Sequence, residues 1–171
     1  MKGVFVTCNT DAGYFTRDKV GSYAYWIKAT GLHLHGSGLF KNKCAGPWQA
    51  EMQAMINALH VLKQAKPPPI IRFIFNRDNI NARSGSKGNH LRQDLKEAIA
   101  WFKKDAIERL GIDEFRRLTV NQKNYAEFRH VKSHDNTDTK RNWVNDWCDR
   151  QCKARLIEWL KKQKVHKNEA K

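Results

Sequence analysis

The chain has 171 residues, 40% hydrophobic and 29% charged, with 32 Lys and Arg against 17 Asp and Glu for a net charge of +15. That length builds one domain around a single substantial core, and the composition excludes a disordered tail. No apolar run approaches the roughly 18 residues of a membrane span, and the apolar stretch after Met1 is too short for a signal peptide, so a cytoplasmic location is expected. An excess of cations this large speaks to partners rather than fold. Nucleic acid is the expected partner, and a membrane surface is not, because no stretch pairs a basic face with an exposed apolar one.

Gly3–Thr7 reads as a first strand, β-branched and aromatic after its glycine. Ser22–Ile27 (SYAYWI) is a second, and a third starts at Leu32 and runs to Phe40, with a turn around residues 13–21. Three short strands with short links predict an antiparallel meander. Pro47 opens a helix, where its missing N–H costs nothing. Met52, Met55, Ile56, Leu59 and Leu62 recur at helical spacing to about Lys63, and Pro67–Pro69 stop it. Ile70–Phe75 (IIRFIF) reads as a buried strand, parallel to an earlier one. After a Gly/Ser-rich loop at residues 84–89, Leu91–Leu110 is helical, with Gly111 as its C-cap and a short helix at Glu114–Leu118. Tyr125–Val131 is a fifth strand, residues 132–141 are polar, and Asn142 starts a helix to about Lys162. Its apolar stripe is Val144, Trp147, Cys148, Leu156, Trp159 and Leu160. The order βββ-α-β-α-α-β-α predicts an α/β fold: a mixed five-stranded sheet, three strands antiparallel and two added in parallel, with helices on both faces. Residues 1–164 form the domain and 165–171 a basic, frayed tail.

Cys8, Cys44, Cys148 and Cys152 match no zinc spacing and read as small buried hydrophobes in a reducing compartment.

The segments GVFVTCNTDAGYF, WQAEMQAMINAL, FIFNRDN and HVKSHDNTDTKRNWVND together resemble type 1 ribonuclease H, and the element order is that of the ribonuclease H fold. The likeness spans roughly Val4 to Ala154 and rests on four acids in order, each on its expected element, with a VKSH loop before the last. It implies a catalytic and metal-binding role for Asp11 just past the first strand, Glu51 early in the first helix, Asp78 after the fourth strand and Asp146 in the first turn or so of the last helix. It implies that His134 takes part in proton transfer or product release, work suited to a group that titrates near neutral pH. The alternatives are an Asx turn at Asp11, a solvated helix-face Glu51, a cap at Asp78, macrodipole compensation at Asp146 and an exposed loop histidine.

Such a site implies Mg2+ as cofactor, two ions about 4 Å apart with Mn2+ able to substitute, hydrolysing the RNA strand of RNA–DNA hybrids to 5′-phosphate and 3′-hydroxyl ends. For nucleic-acid contact the candidates are Trp48, Gln49, Asn142, Arg83, Lys87 and Arg92; Asn142 matches the family's NxxxD pattern, and N-capping is its alternative. Gly46–Ala50 stands where the family often has Asn-Asn-Arg, and the basic handle of some bacterial members is not matched. A monomer is expected. The rival readings are a DNA nuclease of the same fold, junction resolvase or transposase-like, and a non-catalytic nucleic-acid-binding module.

Overall fold

The computed structural model describes residues 2–77, 89–131 and 140–169. Among these, β1 (Val4–Phe15), β2 (Val20–Ala29) and β3 (Leu32–Leu39) are followed by α1 (Pro47–Gln64), β4 (Ile70–Arg77), α2 (Asn89–Leu110), α3 (Ile112–Thr119), β5 (Ala126–His130) and α4 (Lys140–Glu169). The five strands form one sheet in the order β3-β2-β1-β4-β5. The β1–β2 and β2–β3 pairs are antiparallel, and β1–β4 and β4–β5 are parallel. The expected architecture is therefore the one observed.

Strand alternation sorts the side chains of β1 between two faces. Val4, Val6 and Cys8 enter the main core with Met52, Met55, Leu59 and Leu62 of α1 and Leu91, Leu95 and Phe102 of α2. The opposite face packs Ala24 of β2 against Cys148 and Cys152 of α4, flanked by Trp26 and Trp147. A smaller cluster of Ile71, Ala106 and Phe115 seats α3 at the end of α2.

Three expectations need correction. β1 does not stop at Thr7: β2 pairs with it from Thr7↔Lys28 through Phe15↔Val20, so the hairpin ladder satisfies the backbone that a turn would otherwise have satisfied. Asp11 thus lies inside a strand, opposite Ala24, and the turn shrinks to residues 16–19, closed by Lys19 at φ 57°. Helix α4 begins at Lys140, so Asn142 is inside its first turn rather than capping it. The helix also runs past Lys162 to Glu169, through Lys, Gln and Glu, which favour helix. The Gly111 C-cap is as expected: at φ 83° it donates its N–H to Ile107 O at 2.9 Å and ends α2.

Candidate active site

Asp11 belongs to the face of β1 turned toward α4, and it is buried (4% exposed). Its Oδ1 accepts the N–H of Ala12 at 2.8 Å. Three hydrogen bonds lock α4 onto the hairpin around it. Cys152 Sγ donates to Asp11 O at 3.2 Å, Cys148 Sγ to Asn9 O at 3.9 Å, and Ser22 Oγ to Cys152 O at 2.9 Å. Two thiols one helical turn apart therefore match two same-face residues of the strand, because four helical residues and two strand residues both advance about 6 Å.

Glu51, in the second turn of α1, is also buried (7% exposed), and its sequence neighbour Met52 joins the core. Burial pushes the Cys152 thiol up, and the negative charges of Asp11, Cys148 and Glu51 push it further. The two carboxylates, Asp11 on β1 and Glu51 on α1, thus act on one thiol. Asp146 is half-buried in the second turn of α4, where its backbone carbonyl accepts Arg150 Nε at 3.3 Å. Among the described residues, no group of three or more His, Cys, Asp or Glu is gathered closely enough to hold a metal ion. Asp11 and Glu51 are both buried and both act on the Cys152 thiol, Asp146 forms no such group with them, and Asp78 and His134 lie outside the described residues. The two acids offer only carboxylate oxygens, the donor type that suits a hard divalent cation such as Mg2+.

The sequence reading passed over three buried amides. Asn9, two residues before Asp11 on the same strand face, accepts a 2.9 Å hydrogen bond at Oδ1 from Asn76 Nδ2. These two residues are register partners at the end of the β1–β4 ladder. Asn9 Nδ2 donates in turn to Trp26 O at 3.4 Å. Asn145, beside Asp146 and on the buried face that carries Cys148, is 2% exposed, and neither of its amide atoms has a hydrogen-bond partner among the described residues. The period-2 pattern of β1 is the sequence signal for Asn9, and it applies only because the strand continues past Thr7.

Of the other candidates, Trp48 packs against the main core, and Gln49 accepts the Ala45 N–H at its side-chain oxygen. Gln49 also borders a cavity of about 470 Å3 with Lys41, Lys43 and His60. Asn142 and Arg92 are half-buried, and Arg83 and Lys87 lie outside the described residues.

No protein-family model matches the chain, and no curated protein matches it. Solved structures do. The N-terminal RNase H domain of a Mycobacterium tuberculosis protein, fused to maltose-binding protein, superposes with a TM-score of 0.63 at 10% identity, over 94% of this chain and 99% of that one. RNase H1 from the halophilic archaeon Halobacterium salinarum NRC-1 gives 0.52 at 13% identity, over 90% and 98%. An RNase H1 isolated from compost by a metagenomic approach gives 0.50 at 15% identity, over 91% and 99%. These likenesses, the five-stranded mixed sheet and the order of its helices agree: the chain has the ribonuclease H-like fold.

Proposed function

We propose that the chain is a divalent-metal-dependent endonuclease that hydrolyses the RNA strand of RNA–DNA hybrids. The observation that carries this reading is a ribonuclease H-like fold of net charge +15 in which two carboxylates, Asp11 and Glu51, are buried. Burying two acids costs free energy that a catalytic cation would offset. Asp11, Glu51, Asp78 and Asp146 would hold Mg2+, which when bound would activate water and stabilise charge on the leaving oxygen. The chain's own part is positional. β1 and α1 fix their carboxylates on rigid elements, the thiols of Cys148 and Cys152 set the distance of α4 from β1, and His134 exchanges the proton with product. The basic surface draws in the polyanion. The protein acts as a cytoplasmic monomer.

One observation favours a second reading, non-catalytic nucleic-acid binding. The side chains that meet at the end of the β1–β4 ladder are the neutral amides Asn9 and Asn76, with Asn145 on the buried face of α4. Amides neither need nor strongly attract a metal. The test is a cleavage panel with Mg2+ or Mn2+ on end-labelled RNA–DNA hybrid, duplex DNA, duplex RNA and a four-way junction. Cutting of the hybrid's RNA strand supports the first reading, cutting of the junction alone replaces the substrate, and binding without any cutting establishes the second.

A further inference from the structure

Helix α4 packs on the face of the sheet that carries Asn9 and Trp26, with Trp143 in its first turn. A cavity of about 400 Å3 lies there, lined by Asn9 of β1, Trp26 and Lys28 of β2, Asn76 of β4, Arg129 of β5 and Trp143 of α4. That volume is within the range of roughly 300–1,000 Å3 typical of ligand sites. Its lining combines three chemistries. Two indoles stand nearly perpendicular, Trp26 and Trp143, with centroids 5.3 Å apart at 89°. The hydrogen-bonded amides of Asn9 and Asn76 form a polar floor. Lys28 and Arg129 supply positive charge at the rim.

Each part is held ready. Trp26 is fixed by Trp147 at 5.1 Å and by His33 and His35 at 4.5 and 5.2 Å, so its ring is not free to collapse into the cavity. Trp143 is 51% exposed, unusual for so large an apolar side chain, and offers ring area to solvent. Arg129 is held by Glu127 in a bidentate pair at 2.6 and 3.1 Å, and Arg72 also binds that carboxylate at 2.5 Å. Two guanidinium groups against one carboxylate leave a net positive charge, and Lys28 is exposed.

We infer that this cavity binds an unpaired base of a single-stranded nucleic acid, stacked on Trp143, with the adjoining phosphates on Lys28 and Arg129. Flat apolar walls with cations at the rim suit a base attached to a phosphodiester chain. A duplex keeps its bases stacked inside and presents none to Trp143. Asn9 is two residues from Asp11 on the same strand face, so a strand held here passes about 7 Å from the candidate active site. The inference rests on the nucleic-acid reading of the basic surface but not on cleavage.

The experiment measures fluorescence anisotropy, without divalent metal, of the full chain against a labelled 12-nucleotide single strand, an abasic strand of equal length and a hybrid duplex. Trp143→Ala and Lys28→Glu are tested alongside the wild type, with circular dichroism to confirm folding. Trp143→Ala is expected to weaken the single strand about ten-fold and to leave the hybrid within about two-fold, while the abasic strand binds the wild type as weakly as the normal strand binds the variant. Lys28→Glu is expected to weaken the normal and abasic strands alike. Equal loss for hybrid and single strand with Trp143→Ala, or equal binding of abasic and normal strands to the wild type, overturns the base pocket while leaving nucleic-acid binding intact. No binding to any of the three overturns both.

Discussion

Asn76 Nδ2 donates to Asn9 Oδ1 at 2.9 Å, joining β1 and β4 by their side chains at the last residue pair of their parallel ladder. Both residues are buried, at 3% and 4% exposure, so the bond is largely shielded from bulk water. Asn76→Ala removes the donor and leaves Asn9 Oδ1 without it, at a cost of about 1–3 kcal/mol. Urea unfolding followed by tryptophan fluorescence is expected to show a lower midpoint with an unchanged slope. Asn76→Asp replaces the donor by an anion facing an acceptor oxygen and is expected to cost more at pH 7 than at pH 3.

Asp11→Asn keeps the shape of the side chain and its place opposite Ala24 while removing the charge. If the carboxylate holds a catalytic cation, hybrid cleavage is expected to fall by at least about a hundred-fold, the upper end of what loss of a mere supporting group costs. Hybrid binding, measured by anisotropy without metal, is expected to stay within about three-fold. Activity at the wild-type level in this variant removes Asp11 from the site.

Gly13 lies where β1 meets α4. A Cβ there would stand 2.6 Å from Ser22 Oγ and 2.8 Å from Leu156 Cδ1, both inside van der Waals contact. Gly13→Val therefore pushes the Ser22 hydroxyl and the Leu156 side chain aside, disturbing the Ser22–Cys152 bond and the packing of α4 on the hairpin, and is expected to destabilise the protein by about 1–3 kcal/mol. A thermal melt checks the stability. Alkylation of Cys152 checks the geometry: its thiol, buried and pushed up in the native protein, becomes reactive if the helix lifts.

Hydrogen bonds from Arg129 and then Arg72 pull the Glu127 carboxyl down from 4.5 to about 2. A carboxylate depressed on folding contributes stability that is fully present above its unfolded value near 4.5 and is lost as pH falls toward about 2. Glu127→Gln is expected to melt below the wild type at pH 7 and to converge with it near pH 2. Glu127 is solvent-facing, so the difference at pH 7 is small and shrinks further in high salt. A difference that persists at pH 2 assigns the effect to packing rather than charge.

Hydrophobic period settled most of the architecture in advance. Met52, Met55, Leu59 and Leu62 could face a core only on a helix, IIRFIF could only be a buried strand, and Pro67–Pro69 had to separate the two. Order and type of elements then limited the sheet to a few topologies, and the observed one was among them. Positions of the acids along the chain were equally legible, but not their company. Whether Asp11 ended a strand or lay inside it depended on how far β2 would pair, a non-local event invisible to a window of sequence.

The sequence by itself determined the layers of this protein, its basic surface and which residues face inward, because periodicity and charge are local properties of the chain. Only tertiary structure decided which buried polar groups meet. Register placed Asn9 against Asn76, helix packing set Cys152 over Asp11, and the first turn of α4 stood Trp143 beside Trp26. Each pairing joins residues distant in sequence, so its geometry is fixed by how sheet and helices dock and not by any pattern within one segment.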